Sequence, residues 1–264
     1  MTRRRLDAEL VRRRMARGRT EARELIEAGR VTVGGMAAVK PASLVTADAG
    51  IAIAVPPARY VSRGGLKLQA ALDAFSIPVS GRRGLDVGSS TGGFTDCLLQ
   101  YGAAEVTALD VGTNQLEYSL RMDERVVVRE QTNIRGVDPD DLGAPFDLVT
   151  CDVSFIGIAR IAEHLARLGA VGTNYLLLVK PQFEVGRDEV GRGGVVRDPE
   201  LHVKALRTAV DALNAVGLGL HGVIASPVRG AKGGNVEFMI HARFGPDTVD
   251  VPDLATVVAM GATS

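Results

Sequence analysis

The sequence predicts an α/β fold: a doubly wound parallel sheet with helices on both faces, preceded by a small N-terminal α+β module. Short apolar runs at 84–87, 105–109, 126–128, 147–151 and 175–179 read as strands separated by helical segments, the alternation that builds such a sheet. Residues 83–95 run from an apolar strand through Asp86 into the glycine-rich turn Gly88-Ser89-Ser90-Thr91-Gly92-Gly93 and on into a helix at Phe94-Thr95. Pro56-Pro57 interrupts helix and ladder alike and divides the chain.

In the first module, 6–15 and 20–28 read as short helices sharing an apolar face through Leu6, Leu10, Leu25 and Ile26. Thr20 is placed to cap the second helix and Gly29 to end it. Val31-Thr32-Val33 enters a tight turn at Gly34-Gly35, and 51–55 forms a later strand, giving a helix-helix-strand-strand unit. The boundaries read as a module at 1–56, a linker at 57–63, a large domain at 64–246 and a tail at 247–264. Within the large domain, 66–75 and 199–216 are helical, and runs near 219–225 and 236–243 form an antiparallel hairpin that closes the sheet. The stretch 181–198, rich in glycine and charge, reads as a mobile loop leaving a strand end that borders the pocket.

A chain of 264 residues with 46% hydrophobic content can bury a large core. Its formal net charge is zero, yet residues 1–67 carry 14 Lys+Arg against 6 Asp+Glu, and the remainder 17 against 25. The parts are therefore +8 and −8. A basic module on an acidic body points to docking of a polyanion by the first and chemistry by the second. Ten arginines precede Val31, and the planar guanidinium suits phosphate. Cys97 and Cys151, both in apolar surroundings, argue against a disulfide scaffold or a cysteine zinc site. His164, His202, His221 and His241 are scattered, so no metal is expected. No apolar stretch after Arg3-Arg4-Arg5 has signal-peptide length and none spans a bilayer, so membrane insertion is not expected and the location is read as reducing and cytoplasmic.

The glycine turn departs from a dinucleotide fingerprint, because Ser90 replaces the glycine that lets backbone amides approach a pyrophosphate. An acidic strand end suits a cationic or hydroxylated ligand better, which favours S-adenosylmethionine in a Rossmann-like domain. Asp86, Gly88, Ser89, Ser90, Thr91, Gly92, Gly93 and Phe94 are the expected contacts around its amino-acid end. Asp110 ends the next strand, placed to accept from two ribose hydroxyls, with Val111 beside it. Thr132 and Asn133 follow the third strand and reach toward adenine; Asp152 borders the same ligand. The competing reading is an ordinary strand-turn-helix capped by Thr91.

Lys67, Asp152, Lys180 and Glu237 each lie at the edge of a predicted core element, where an isolated charge is costly to desolvate. Their order and flanks resemble the FtsJ-like ribose methyltransferases, whose active site is a Lys-Asp-Lys-Glu tetrad. The chain is more closely similar to the TlyA family of rRNA ribose 2′-O-methyltransferases, historically also called haemolysins. The resemblance rests on Arg5-Leu6-Asp7, 25–29, Val39-Lys40-Pro41, Val61-Ser62-Arg63-Gly64-Gly65, 90–95, Asp152-Val153-Ser154-Phe155-Ile156 and Lys180-Pro181-Gln182-Phe183-Glu184. It implies an S4-like RNA-binding module at the N-terminus, catalysis by Lys67, Asp152, Lys180 and Glu237, and ribosomal RNA or ribosomal subunits as partner. Arg59-Tyr60-Val61 departs from it, standing where many relatives carry tryptophan. Arg4, Arg5, Arg13, Arg17, Arg19 and Arg23 are the expected phosphate contacts. Three rivals stay open: a methyltransferase for another substrate, an RNA-binding assembly factor without turnover, and a cytolysin. Oligomeric state is not legible.

Overall fold

Residues Met1–Ala58 form one unit and Arg59–Ser264 another. The computed structural model describes residues 3–16, 18–38, 40–54, 58–230, 234–245 and 254–262. Pro56-Pro57 and Arg17 lie outside the described residues.

The small unit runs β1 (Arg3–Arg5), α1 (Leu6–Arg12), α2 (Arg19–Glu27), β2 (Val31–Val33), β3 (Met36–Ala37), β4 (Leu44–Thr46) and β5 (Ile51–Ile53). Leu6, Leu10, Ala22, Ile26, Val31 and Val45 close its core. β2 pairs antiparallel with β3, as the Gly34-Gly35 turn predicts, and on its other edge with β5. Two strands were absent from the sequence reading: β1 pairs antiparallel with β4, Arg3 opposite Thr46. Three consecutive arginines show no apolar alternation, so the partner strand makes this one. α2 starts behind Gly18, which puts Thr20 inside the helix rather than at its cap. Gly29, at φ +68°, is the left-handed residue just past the cap Ala28.

The large unit continues with α3 (Gly64–Phe75), β6 (Arg83–Val87), α4 (Gly93–Gln100), β7 (Glu105–Leu109), α5 (Tyr118–Arg121), β8 (Val126–Arg129), β9 (Phe146–Cys151), α6 (Ala162–Ala166), β10 (Gly169–Val179), α7 (Pro181–Glu184), α8 (Pro199–Ala215), β11 (Leu218–Ala225), β12 (Phe238–Phe244) and α9 (Leu254–Ala262). Its sheet has the order β11-β12-β10-β9-β6-β7-β8. The strands alternate faces with the two-residue period: Tyr175, Leu177 and Val179 enter the core under α8 and α9, Leu176 and Leu178 the one under α3 and α4.

The sheet is mixed. β12 inserts antiparallel between β10 and β11, so the last hairpin pairs internally and also docks on the parallel strands. The segment 181–198 holds α7 and a bridge between Gly191 and Val195 rather than unbroken loop. Asn235 ties it down, its side chain accepting from Val196 N at 2.9 Å and donating to Gly194 O at 2.8 Å. The expected tail contains α9, which buries Val257 and Val258 in the core; apolar residues on one face of a short helix give it this anchorage. Tyr60 is buried and its hydroxyl donates to Gln69 Oε1 at 3.2 Å.

Candidate active site

Strand direction gathers the site. β6, β7, β9 and β10 are parallel, so Gly88, Asp110, Asp152 and Lys180 all emerge at their carboxyl ends, where the chain reverses its progress across the sheet and open α/β folds bind ligands. β12 runs the other way, so its beginning lies at that same edge: Val179 is opposite Phe238, which sets Glu237 beside Lys180. Lys67 comes from the first turns of α3, which packs against β12.

The four charges form a chain of ion pairs. Lys67 Nζ stands 2.5 Å from Glu237 Oε2 and 3.9 Å from Asp152 Oδ2. Lys180 Nζ is 2.6 Å from Asp152 Oδ1 and donates to Ser154 Oγ at 3.1 Å. Asp152 Oδ1 is buried against the Lys180 nitrogen. Both amines are largely covered, at 10% and 11% exposure, which makes their carboxylate partners necessary rather than decorative.

Two adjoining cavities open here. One, of about 260 Å³, is lined by Ser89, Thr91, Gly93 and Phe94 together with Lys67, Asp152 and Lys180. The other, of about 470 Å³, is lined by Asp110, Val111, Thr132 and Asn133. Gly88, Ser90, Asp152 and Ser154 border both. Asp110 also shapes the glycine turn: one oxygen accepts from Ser90 N at 2.8 Å and the other from Gly112 N at 2.7 Å. Each oxygen retains a lone pair for a hydroxyl.

Two expected ligand residues lie elsewhere. Asp86 is fully buried and lines neither cavity. It accepts from Thr95 N at 3.0 Å, Thr95 Oγ1 at 2.7 Å and Thr150 Oγ1 at 3.2 Å, so it braces β6 against α4 and β9. Burial pushes its carboxyl up to about 7, opposed by the Thr95 hydroxyl and assisted by the charge of Asp152. Gly92 likewise faces away: a side chain there would collide with Leu116 and Leu120. Thr91 makes no cap, because α4 begins behind Gly92. Sequence reading passed over Ser62, Arg63, Gln115, Ser154 and Phe155, which line the cavities. All but Gln115 fell inside segments quoted for the family resemblance, a signal that carried no role by itself.

The cleft fits an adenosyl sulfonium. Gly88 holds φ +82°, and a Cβ on it would stand 2.6 Å from the Asp152 carbonyl oxygen, so only glycine keeps that wall low. Asp110 lines the larger cavity with carboxylate oxygens that can accept from hydroxyls, and that cavity, of about 470 Å³, is within the roughly 300–1,000 Å³ of small-molecule sites.

In the small unit the arginines surround buried carboxylates. Asp7 accepts from Arg5 at 2.9 and 3.1 Å and, at 3.4 Å, from Arg19 and Arg23. These guanidinia hold its carboxyl well below the usual range. Arg13 is committed to structure, bonding Glu9 at 2.8 Å and the carbonyls of Ala47 and Ala49 at 2.9 and 2.8 Å. Arg4 is exposed on β1.

Residues 60–244 match the FtsJ-like methyltransferase family and residues 4–51 the S4 domain. The chain is 48% identical to the 16S/23S rRNA (cytidine-2′-O)-methyltransferase TlyA of Mycobacterium tuberculosis, over 90% of this chain and 89% of that protein. It is 40% identical to Hemolysin A of Brachyspira hyodysenteriae, over 84% and 92% of the two chains. A solved structure of a proposed hemolysin from Streptococcus thermophilus superposes with a TM-score of 0.75 at 36% identity, covering 100% of this chain and 97% of that one.

Proposed function

This chain belongs to the TlyA family of FtsJ-like methyltransferases, and on that premise we propose that it methylates the ribose 2′-hydroxyl of a cytidine in ribosomal RNA, using S-adenosylmethionine. The observation that carries the reading is the Lys180 amine, which lines the smaller cavity and is held between Asp152 and Ser154, both of which border the two cavities. When bound, S-adenosylmethionine supplies an electron-poor methyl group on a sulfonium.

The chain's own residues do the rest. Asp110 anchors the cofactor ribose, and Gly88, Ser89 and Gly93 admit its amino-acid end. Val111, Thr132 and Asn133 border the base. Lys180 enters the step as the free amine, its ammonium proton already given up to solvent, so Nζ accepts the hydrogen bond of the substrate 2′-hydroxyl and takes up its proton as the oxygen is alkylated. Asp152 and Ser154 aim Lys180; Glu237 aims Lys67, which steadies the substrate phosphate or ribose. Holding hydroxyl and methyl in line supplies much of the acceleration, since alignment contributes about 7–11 kcal/mol in well-oriented systems.

Arg4, Arg5, Arg19 and Arg23 offer the small unit's cationic surface to RNA phosphates, positioning without reading sequence. An rRNA substrate places the protein in the cytoplasm. No helix among the described residues is long and apolar enough to cross a membrane.

The test is tritium transfer from labelled cofactor to ribosomal RNA, followed by mapping of 2′-O-methyl groups in cells with and without the gene. Label in protein, or an unchanged methylation map, would refute the reading; leakage from liposomes would favour a cytolysin instead.

A further inference from the structure

Glu184 is a half-buried carboxylate that the reaction above does not use. It ends α7, the turn that follows Lys180. Its Oε1 accepts from Ile158 N at 2.5 Å, at the start of the 3-10 turn Ile158–Arg160 that closes the loop after β9. The Ala159 amide faces it as well; burial pushes the carboxyl up while these two amides oppose that shift. Gly157 makes the approach possible, because a Cβ there would stand 2.8 Å from both Glu184 Cδ and the Phe183 carbonyl oxygen.

The loop after β9 and the turn after β10 therefore meet at three points. At the reactive end Lys180 touches Asp152 and Ser154. At the far end Glu184 holds Ile158, and between them Phe155 packs on Phe183 with ring centroids 5.6 Å apart. Phe155 itself is exposed and sits at φ +68°, a conformation that costs a non-glycine residue energy. One contact alone would leave the loops free to pivot about it; a second removes that freedom.

We propose that Glu184 is a positioning residue for Lys180, tying the loop after β9 to the turn after β10 and so setting the angle at which Lys180 Nζ and Ser154 meet the substrate hydroxyl. This rests on the assignment of Lys180 to the ribose hydroxyl.

Glu184→Ala lowers the single-turnover rate of methyl transfer by between about tenfold and a hundredfold, the scale of a small misalignment remote from the chemistry. KM for RNA and affinity for S-adenosylmethionine stay near wild type. Glu184→Gln, whose Oε1 accepts from the same amides, restores most of the rate. Amide hydrogen exchange over residues 153–160 rises in the alanine variant and returns to native in the glutamine one. Should alanine prevent folding, Glu184→Asp, one methylene short of the amides, takes its place and is expected to be slow. A folded alanine or aspartate variant with wild-type rate and exchange overturns the proposal, as does a glutamine variant no better than alanine. If the wild-type chain itself fails to methylate rRNA, the functional reading falls, and unchanged exchange in the alanine variant would then overturn the tether separately.

Discussion

Two charge clusters, one around Asp7 in the small unit and one around Lys67 and Lys180 in the large unit, are built inside out with respect to one another. In the small unit the carboxylate of Asp7 is buried while Arg5, Arg19 and Arg23 remain 42–55% exposed. In the large unit the amines of Lys67 and Lys180 are covered and lean on Asp152 and Glu237 at the wall of a cleft. One arrangement organises cations toward solvent, where a polyanion can meet them. The other withdraws its two lysines from water and sets them on the wall of a cavity. Charge complementarity is common to both; they differ in which partner is buried.

Breaking the reactive cluster should have the largest effect. Lys180→Ala is expected to lower methyl transfer by about 10²–10⁴-fold, the contribution of a positioned acid or base, while calorimetry finds cofactor affinity nearly unchanged. A near-wild-type rate would remove Lys180 from the chemistry. The binding cluster should fail differently: changing Arg5, Arg19 and Arg23 together to Gln weakens rRNA affinity and makes log affinity against log salt shallower by about two units, given about 0.7–0.9 per phosphate contact. If turnover at saturating RNA collapsed with the salt slope intact, the two clusters would not divide the labour this way.

Asp110→Ala is expected to weaken S-adenosylmethionine binding by about 2 kcal/mol, the scale of a hydrogen bond to a charged group. Unchanged calorimetric affinity would detach Asp110 from the cofactor. The smallest effect concerns Asp86, whose folded-state carboxyl lies near 7 against an ordinary 3.8. The folded state therefore holds a proton that the unfolded chain releases, so this contribution is complete below the lower value and is lost as pH rises through the higher. Asparagine does not titrate. The stability gap between wild type and Asp86→Asn should shrink, on the order of 1–3 kcal/mol, between about pH 5 and about pH 8; urea unfolding with a constant gap would show that Asp86 does not titrate in that window.

Much of the larger unit was legible because parallel strands are buried on both faces and read as unbroken apolar runs. Asp110, Asp152 and Lys180 stood out for the same reason, each a charge terminating such a run. Arg3-Arg4-Arg5 shows the opposite case: nothing in its pattern announces a strand, and β4 makes it one. Asp86 misled because its acidity was read as facing a ligand, whereas Thr95 and Thr150 consume it. Ser154 and Glu184 were invisible as participants, since a serine in a loop and a glutamate after a strand acquire meaning only from what they touch.

Taken alone, the order of residues determined the doubly wound architecture, the glycine turn and the end-of-strand charges, because periodicity and chain-breaking residues act over a few positions. Which charges pair was decided by the reversed direction of β12 and the packing of α3, which join residues as distant as Lys67 and Glu237, and which acid is entombed was decided by Thr95 of α4 and Thr150 of β9 closing on Asp86. Local preference cannot encode such a meeting; desolvation and Coulomb attraction across the assembled sheet select it.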